Sequence, residues 1–499
     1  MSFFDPKNVL TALFALVAVA WAGYAVFIHG ASNEAAKAPT AKTAAKPAGP
    51  FRFALKPSRS LKIRKLLMDG RIDELEALLT GLQKRFEADE IDDREVDRAF
   101  GAFATSDPAL KNPLDVWNRT RPNSFAAPLA RARYFRTLAW KARGVAIAAA
   151  TPKERFEAMR TYLRRARADA VRALDLRPRL TAAAPTMIQV VYHLRDEGVI
   201  RERITHLQKQ YPCSMLMHWQ VLPYLQPRWG GSLKQIDEYT ATVARRCPKH
   251  KEVLSYREIA RAYIDIDRND RRSAIRRFTA ALRQNPWPGY YYSRAMQYAA
   301  LKERNEALSD FARAFALNPE HTGVLNEIAS ILFTRGQKEE AMRLWQRALA
   351  LDPYDPDTLI DRAIHLIYAD NNPAAWYEMA IADLDKAKRY FAGDMQKLYN
   401  LRSTAHQRRV SLKDGIAVLR RDYYANPRNE AAFVYYETHL TARFRCSRAD
   451  EFRALIKHCA KHGHCNGTKV YMLTVTLERL LKRKHCGSKA STAKPQEIQ

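Results

Sequence analysis

Three prolines, Pro286, Pro319 and Pro353, stand 33 and 34 residues apart, each directly preceded by Asn or Asp. Counting back from each, the same small and bulky positions recur. The first unit has Ala262, Ala274, Phe278 and Ala281. The second has Tyr291, Ala295, Tyr298, Ala307, Phe311 and Ala314. The third has Leu325, Ala329, Leu332, Gly336, Ala341, Trp345 and Ala348. A period of this length is one supersecondary unit that cannot bury its apolar face alone, so the units must stack on each other. Apolar residues at three- and four-residue intervals make each half of a unit an amphipathic helix. Small residues at fixed places let two antiparallel helices approach, and the bulky residue four further on fills the gap. The proline, which has no N–H to donate, starts the turn into the next unit. No extended period-two alternation suggests a sheet, so the expected fold class is all-α.

Over residues 253–353 this register resembles the tetratricopeptide repeat. That resemblance implies a right-handed superhelix of helical hairpins whose concave side binds peptides or protein surfaces; the same stack would also serve as a spacer. Tyr290, Tyr291, Arg294 and Asn326 become first-helix candidates for binding, since aromatic and Arg side chains suit interface anchors. Tyr291 is also claimed by the packing register. Beyond Pro353 the pattern loosens. Ala363, Ala375, Met379 and Ala382 read as one further unit, with Ala387 where a proline would stand. Gly415, Leu419 and Asn426-Pro427 read as another. The repeats are therefore expected over 251–430, a Cys/His-containing helical cap over 431–489 and a tail over 490–499.

Residues 56–250 read as an N-terminal helical domain. LLMDGRIDELEALL at 66–79, Phe103, Asp107-Pro108, Trp117, Arg121-Pro122-Asn123-Ser124 and Trp140 are similar to a bacterial domain family of unknown function that often precedes such repeats. Leu222-Pro223 and Pro227-Arg228-Trp229-Gly230-Gly231-Ser232 extend the likeness to about residues 60–265. It implies more helical pairs and no activity. Asn123 or Ser124 would cap a helix start there.

Residues 9–28 are an uncharged run of 20. At about 1.5 Å rise per residue, such a helix matches a hydrocarbon core of roughly 30 Å. Residues 1–30 are thus expected to be a single transmembrane anchor. The alternative is a signal peptide with Lys7 as its basic flank and Gly30, Ala31 and Ser32 as cleavage candidates. Residues 31–55 form an Ala/Pro/Lys linker. Lys37, Lys42, Lys46 and Arg52 follow the span, which by charge bias alone would keep the body in the cytoplasm. An N-terminal apolar segment is nevertheless the ordinary export route, and the cysteines suit an oxidising compartment. The expected placement is the bacterial inner membrane, single-pass, with a periplasmic body.

The chain carries 83 Lys and Arg against 53 Asp and Glu, a formal charge of +30. Such a field favours anionic partners, so a polyanion- or nucleic-acid-binding protein stands as an alternative. The excess is scattered through the chain rather than confined to one tail, which weakens that reading.

For chemistry, Arg228 and Trp229 beside paired glycines form either a helix–helix turn or an anion-binding nest. The P-loop spacing and lysine are missing, which rules out nucleotide binding there. His218 sits among apolar neighbours, as a structural histidine does. With Arg228 it marks where an enzyme site in the N-terminal domain would have to lie. Paired carboxylates such as Asp92-Asp93 and Glu339-Glu340 read as solvated. No nucleophile elbow and no HExxH motif occurs, and no cofactor is expected. Cys213 and Cys247 stand apart from Cys446, Cys459, Cys465 and Cys486. Disulfides, reduced structural thiols and a zinc site on the last four remain open, although no CxxC knuckle supports the metal. The reading is a non-enzymatic membrane-tethered scaffold whose repeats bind a protein or peptide.

Overall fold

The computed structural model describes residues 53–144, 151–194, 198–369, 373–390, 395–410, parts of 420–441, 446–461 and 467–484. These are helices, 3-10 turns and connections, with no strand among the described residues. The apolar run 9–28 lies outside them. Among the described residues no helix is long and apolar enough to cross a membrane. The chain divides into two compact units, Met1–Thr358 with Arg389–Gly393, and Leu359–Lys388 with Asp394–Gln499.

In the first unit the N-terminal helices are α1 (Arg59–Met68), α2 (Ile72–Glu87), α3 (Asp93–Phe100), α4 (Lys111–Thr120), α5 (Ala126–Arg143) and α6 (Lys153–Leu176). They continue with α7 (Ala184–Leu194), α8 (Val199–Gln210), α9 (Met215–Val221) and α10 (Leu233–Arg246). Ser124 caps α5 as its sequence position suggests, its Oγ accepting from the Ala126 and Ala127 amides at 3.1 Å. Phe100, Phe103 and Trp117 pack together fully buried, and Trp117 Nε1 donates to Glu76 at 2.7 Å.

Three hairpins follow: α11 (Tyr256–Asp267) with α12 (Arg271–Gln284), α13 (Pro288–Ala300) with α14 (Arg304–Leu317), and α15 (Thr322–Thr334) with α16 (Lys338–Leu351). The register read from the sequence is the register of the core. Ala262, Ala274, Ala281, Ala295, Ala307, Ala314, Ala329, Ala341 and Ala348 are all fully buried, with Phe278, Phe311 and Trp345 beside them. Each hairpin turns through one left-handed residue, Asn269, Lys302 and Gly336, at φ 61°, 63° and 83°. The turn is closed by an amide reaching back five residues: Asp270 to Asp265, Glu303 to Tyr298, Gln337 to Leu332. The α1–α2 turn repeats the device, with Gly70 at φ 71° and Arg71 bonded to Leu66.

The second unit contains α18 (Ala374–Ala387), α19 (Met395–Val410), α20 (Ala449–Lys461) and α21 (Gly467–Arg483); the boundary itself falls inside α17 (Pro356–Tyr368). Here the sequence register needs correction. Ala375 and Ala382 are exposed, and the buried set is Ala380, Leu384 and Ala387. An insertion before Pro373 moves the second helix of this hairpin five residues later, so Ala387 is its last small position and not a missing proline. The ion pairs verify the shift. Arg362, just before Ala363, clamps Asp383, three residues past Ala380. In the second hairpin Arg294, just before Ala295, clamps Asp310, three past Ala307. Gly415, Leu419 and Asn426-Pro427 lie outside the described residues.

Candidate functional site

The four repeat residues expected to present a binding face are largely consumed by packing. Tyr290 is 7% exposed, with its ring against Trp219 and its hydroxyl 3.4 Å from Ser255. Burial pushes that hydroxyl's pKa well up. Arg294 lies inside the hairpin, bidentate on Asp310 at 2.6 and 2.8 Å and donating to Thr279 at 2.8 Å. Asn326 is 4% exposed, and its Oδ1 accepts from Trp345 Nε1 at 2.9 Å. Tyr291 alone keeps a reachable flank, half-buried beneath the Arg294 and Arg313 guanidinium groups. The spacing places all four on first helices, as expected, but an Arg or Asn that clamps a hairpin is not available to a partner.

Arg228 and Trp229 resolve towards the turn. The Trp229 and Gly231 amides both bond to the Gln226 carbonyl, at 2.9 and 3.1 Å, and the Gly230 amide to Pro227 at 3.0 Å. An anion nest needs those N–H groups free, and here they are used. Gly230 takes φ 90°, and Ser232 caps α10 by accepting from the Gln235 amide at 3.2 Å. Arg228 reaches Asp267 at 3.1 Å and lies over the Tyr263 ring. A Cβ on Gly231 would lie 2.1 Å from the Leu225 carbonyl oxygen, which is backbone and has no free rotation to escape. Gly231→Ala is therefore expected to destabilise by about 1–3 kcal/mol, checked by urea unfolding; a neutral result would show that the turn can shift as a body.

His218 is also committed. Its Nδ1 meets the Tyr239 hydroxyl at 2.8 Å and its Nε2 the Pro212 carbonyl at 2.9 Å, and burial lowers its pKa. The cavity beside it measures about 20 Å³, room for one water and no substrate.

The acid pairs depart from the solvated reading. Glu339 is exposed but Glu340 is buried; Asp92 caps α3 while Asp93 is 5% exposed and accepts from Ser214 Oγ. Burial holds the Asp93 carboxyl well above its ordinary value, with Asp92 adding to the effect. A carboxyl whose folded pKa is raised binds its proton longer in the native state than in the unfolded one. Stability should therefore fall as pH climbs from the ordinary carboxylate value towards neutrality. Asp93→Asn should flatten that slope in a pH series of melting temperatures.

Cys213 and Cys247 form a disulfide with Cα atoms 5.6 Å apart. Cys446 and Cys459 are disulfide-bonded too, which removes the thiolates a zinc site there would need. Cys465 and Cys486 lie outside the described residues. Among the described residues no cluster of metal-ligating side chains occurs.

One contact surface had no signal in the sequence. The segment 53–58 runs without secondary structure over α14 and α16. Phe53 packs edge-on to Phe315 at 5.3 Å, and its amide donates to Glu340 at 2.9 Å. Arg343 donates to the Phe53 carbonyl at 3.4 Å and Arg347 to the Lys56 carbonyl at 2.8 Å. Glu320 accepts from Ser58 Oγ and from both the amide and the hydroxyl of Ser60. These partners are some 260–290 positions apart in sequence, beyond the reach of any local pattern.

Residues 59–200 match the model of a domain of unknown function, DUF4034. A comparison with curated proteins finds no match. Similar solved structures include a tetratricopeptide repeat protein from Parabacteroides merdae ATCC 43184, at 17% identity over 46% of this chain and 87% of that one, with a TM-score of 0.29. The Cut9-Hcn1 hetero-tetramer of APC/C is 15% identical over 69% of this chain and 63% of that one, at 0.35. An IFIT1 monomeric mutant with Gppp-AAAA is 12% identical over 85% and 90%, at 0.32. With the alanine register buried throughout 262–348, the chain joins a segment at residues 59–200 that is similar to DUF4034, a domain of unknown function, to tetratricopeptide-like helical hairpins.

Proposed function

We propose that this chain is a non-enzymatic scaffold, held at the bacterial inner membrane by residues 9–28 with its body in the periplasm, that docks an extended segment of a protein partner on its hairpins. The observation that carries the reading is the seat of the chain's own segment 53–58. Glu340, Arg343 and Arg347 hold that segment by its main chain, an amide and two carbonyls. Main-chain contacts ask little of the side chains they hold, so a helical surface of this kind suits extended peptides. The Cys213–Cys247 disulfide favours an oxidising compartment.

Two measurements test it. A reporter that folds only outside the cytoplasm, fused to the C-terminus, should be active, and deleting residues 9–28 should release the chain from membranes. A photo-crosslinker replacing Arg313, which is exposed beside Tyr291, should give a discrete protein adduct in native membranes; one replacing exposed Arg98 in the N-terminal domain should not. Equal adducts at both positions, or none at Arg313, would sink the docking reading. Retention on DNA that falls steeply with salt would instead revive the polyanion reading.

A further inference from the structure

Segment 53–58 is held in two unlike ways. At its C-terminal end it is fixed. Ser58 is 4% exposed, caps α1 by accepting from the Leu61 amide at 3.0 Å, and gives its hydroxyl to Glu320, which also takes the amide and hydroxyl of Ser60. From Phe53 to Pro57 the hold is slight. Among the described residues only three main-chain groups of that stretch are bonded, the Phe53 amide and the Phe53 and Lys56 carbonyls. Ala54, Lys56 and Pro57 are exposed, and Phe53 is half-buried against Phe315. Pro57 has no N–H to add. A stretch with so few buried contacts opens locally at small cost, while the clamp at Ser58 keeps its end in place. It is a strap hinged at Ser58.

The seat beneath it can stand without the strap. Glu340, Arg343 and Arg347 follow one face of α16 at i, i+3 and i+7. Glu340 accepts from the Phe53 amide through Oε1 and from Arg343 at 2.6 Å through Oε2, so lifting the strap leaves each of that pair with the other. Arg347 gives one nitrogen to the Lys56 carbonyl at 2.8 Å, and its Nε, shielded from solvent, has no hydrogen-bond partner among the described residues. The chain's own segment thus does not use every donor that the seat offers. Phe315, 8% exposed beneath the Phe53 ring, would be uncovered. What fits there is set by what fits now: an extended backbone with one aromatic side chain, its main chain bonded to a carboxylate and two guanidinium groups. A segment attached to its own seat competes at roughly millimolar effective concentration, so it is an internal rival to any such partner.

Resting on the docking function above, we propose that residues 53–57 are an autoinhibitory strap, and that the partner's extended segment, bearing an aromatic residue in the place of Phe53, displaces it from α14 and α16. The test uses the full chain in detergent and the acetylated peptide of residues 53–58, labelled at its C-terminus and followed by fluorescence anisotropy. Phe53→Ala in the chain should raise the peptide's affinity about tenfold or more over the wild type, because the rival in cis has lost its anchor. Arg347→Met added to Phe53→Ala should reverse most of that gain, and a Phe53→Ala peptide should bind neither chain measurably. The Phe53→Ala chain should melt within about 2 °C of the wild type. Equal binding to the wild type and the Phe53→Ala chain, or none to either, would overturn the proposal. So would binding that Arg347→Met leaves intact, or a melting temperature more than about 5 °C lower in the Phe53→Ala chain, which would make the strap a structural brace. The Arg313 adduct reports the docking function separately. An adduct without peptide exchange overturns the strap alone; peptide exchange without an adduct supports the strap and overturns the docking function instead.

Discussion

Replacing Asp352 by alanine should lower the unfolding free energy by about 3–5 kcal/mol, read as a shift of the urea midpoint with little change in slope. Asp352 follows α16 directly and is 8% exposed. Its Oδ1 accepts from the Ser106 amide at 3.0 Å, the Ser106 hydroxyl at 2.6 Å and the Thr105 hydroxyl at 3.1 Å, all in the N-terminal domain. Its Oδ2 lies 3.4 Å from Lys141 Nζ on α5. Burial works against the Lys141 ammonium, but Asp355 and Asp352 together outweigh it and hold its pKa above the ordinary value. Alanine leaves Lys141 with Asp355 alone and strands two hydroxyls and an amide, each costing about 1–3 kcal/mol when buried without a partner. Asp352→Asn, which keeps an oxygen for Ser106 and Thr105 but drops the charge, should lose less. Faster proteolysis near Thr105 in the alanine variant would show that the N-terminal domain has loosened from the third hairpin. A loss under about 1 kcal/mol would mean that water replaces the carboxylate at this junction.

The contrast between Asp352 and the alanines shows where sequence reading ends. Ala262 to Ala348 were legible because burial at a fixed period leaves a mark in every unit, and one unit corroborates the next. The same logic failed at Ala375, Met379 and Ala382. A five-residue insertion before Pro373 breaks the period, and helical spacing of apolar residues fits more than one register. Ser124 and Ser232 were readable as caps or turn residues because their partners lie two or three positions away. Tyr290, Arg294 and Asn326 illustrate a different limit. Side chains that make good interface anchors also make good internal clamps, and only the partner decides which. Arg294 meets Asp310 16 residues on, whereas Asp352 meets Ser106 at a separation of 246. Segment 53–58 shares that dependence on distant partners.

Removing the Cys213–Cys247 bond by a double serine substitution should cost about 3–4 kcal/mol, from the chain entropy that closing a loop of this length withholds from the unfolded state. The bond spans a sequence separation of 34 and ties the turn before α9 to the residue that follows α10. Within that loop lie α9, the Arg228–Ser232 turn and α10, whose buried Ile236 and Val243 supply only part of the holding force. Cys247 is itself 2% exposed and its amide closes α10 on the Val243 carbonyl at 2.8 Å, so serine there adds a small packing loss to the entropic one. Reduction separates the two contributions. Dithiothreitol should destabilise the wild type by most of the mutational loss, and should change the double variant only through whatever other disulfides remain. If reduction leaves the wild type unchanged, the loop is held by its core and the bond is dispensable. If the loss is as large as expected, a body folding in a reducing cytoplasm would carry that deficit from the start. Accumulation of the wild type but not of the double variant in an oxidising compartment, with the two equally poor in the cytoplasm, would then tie the stability of α8–α10 to export.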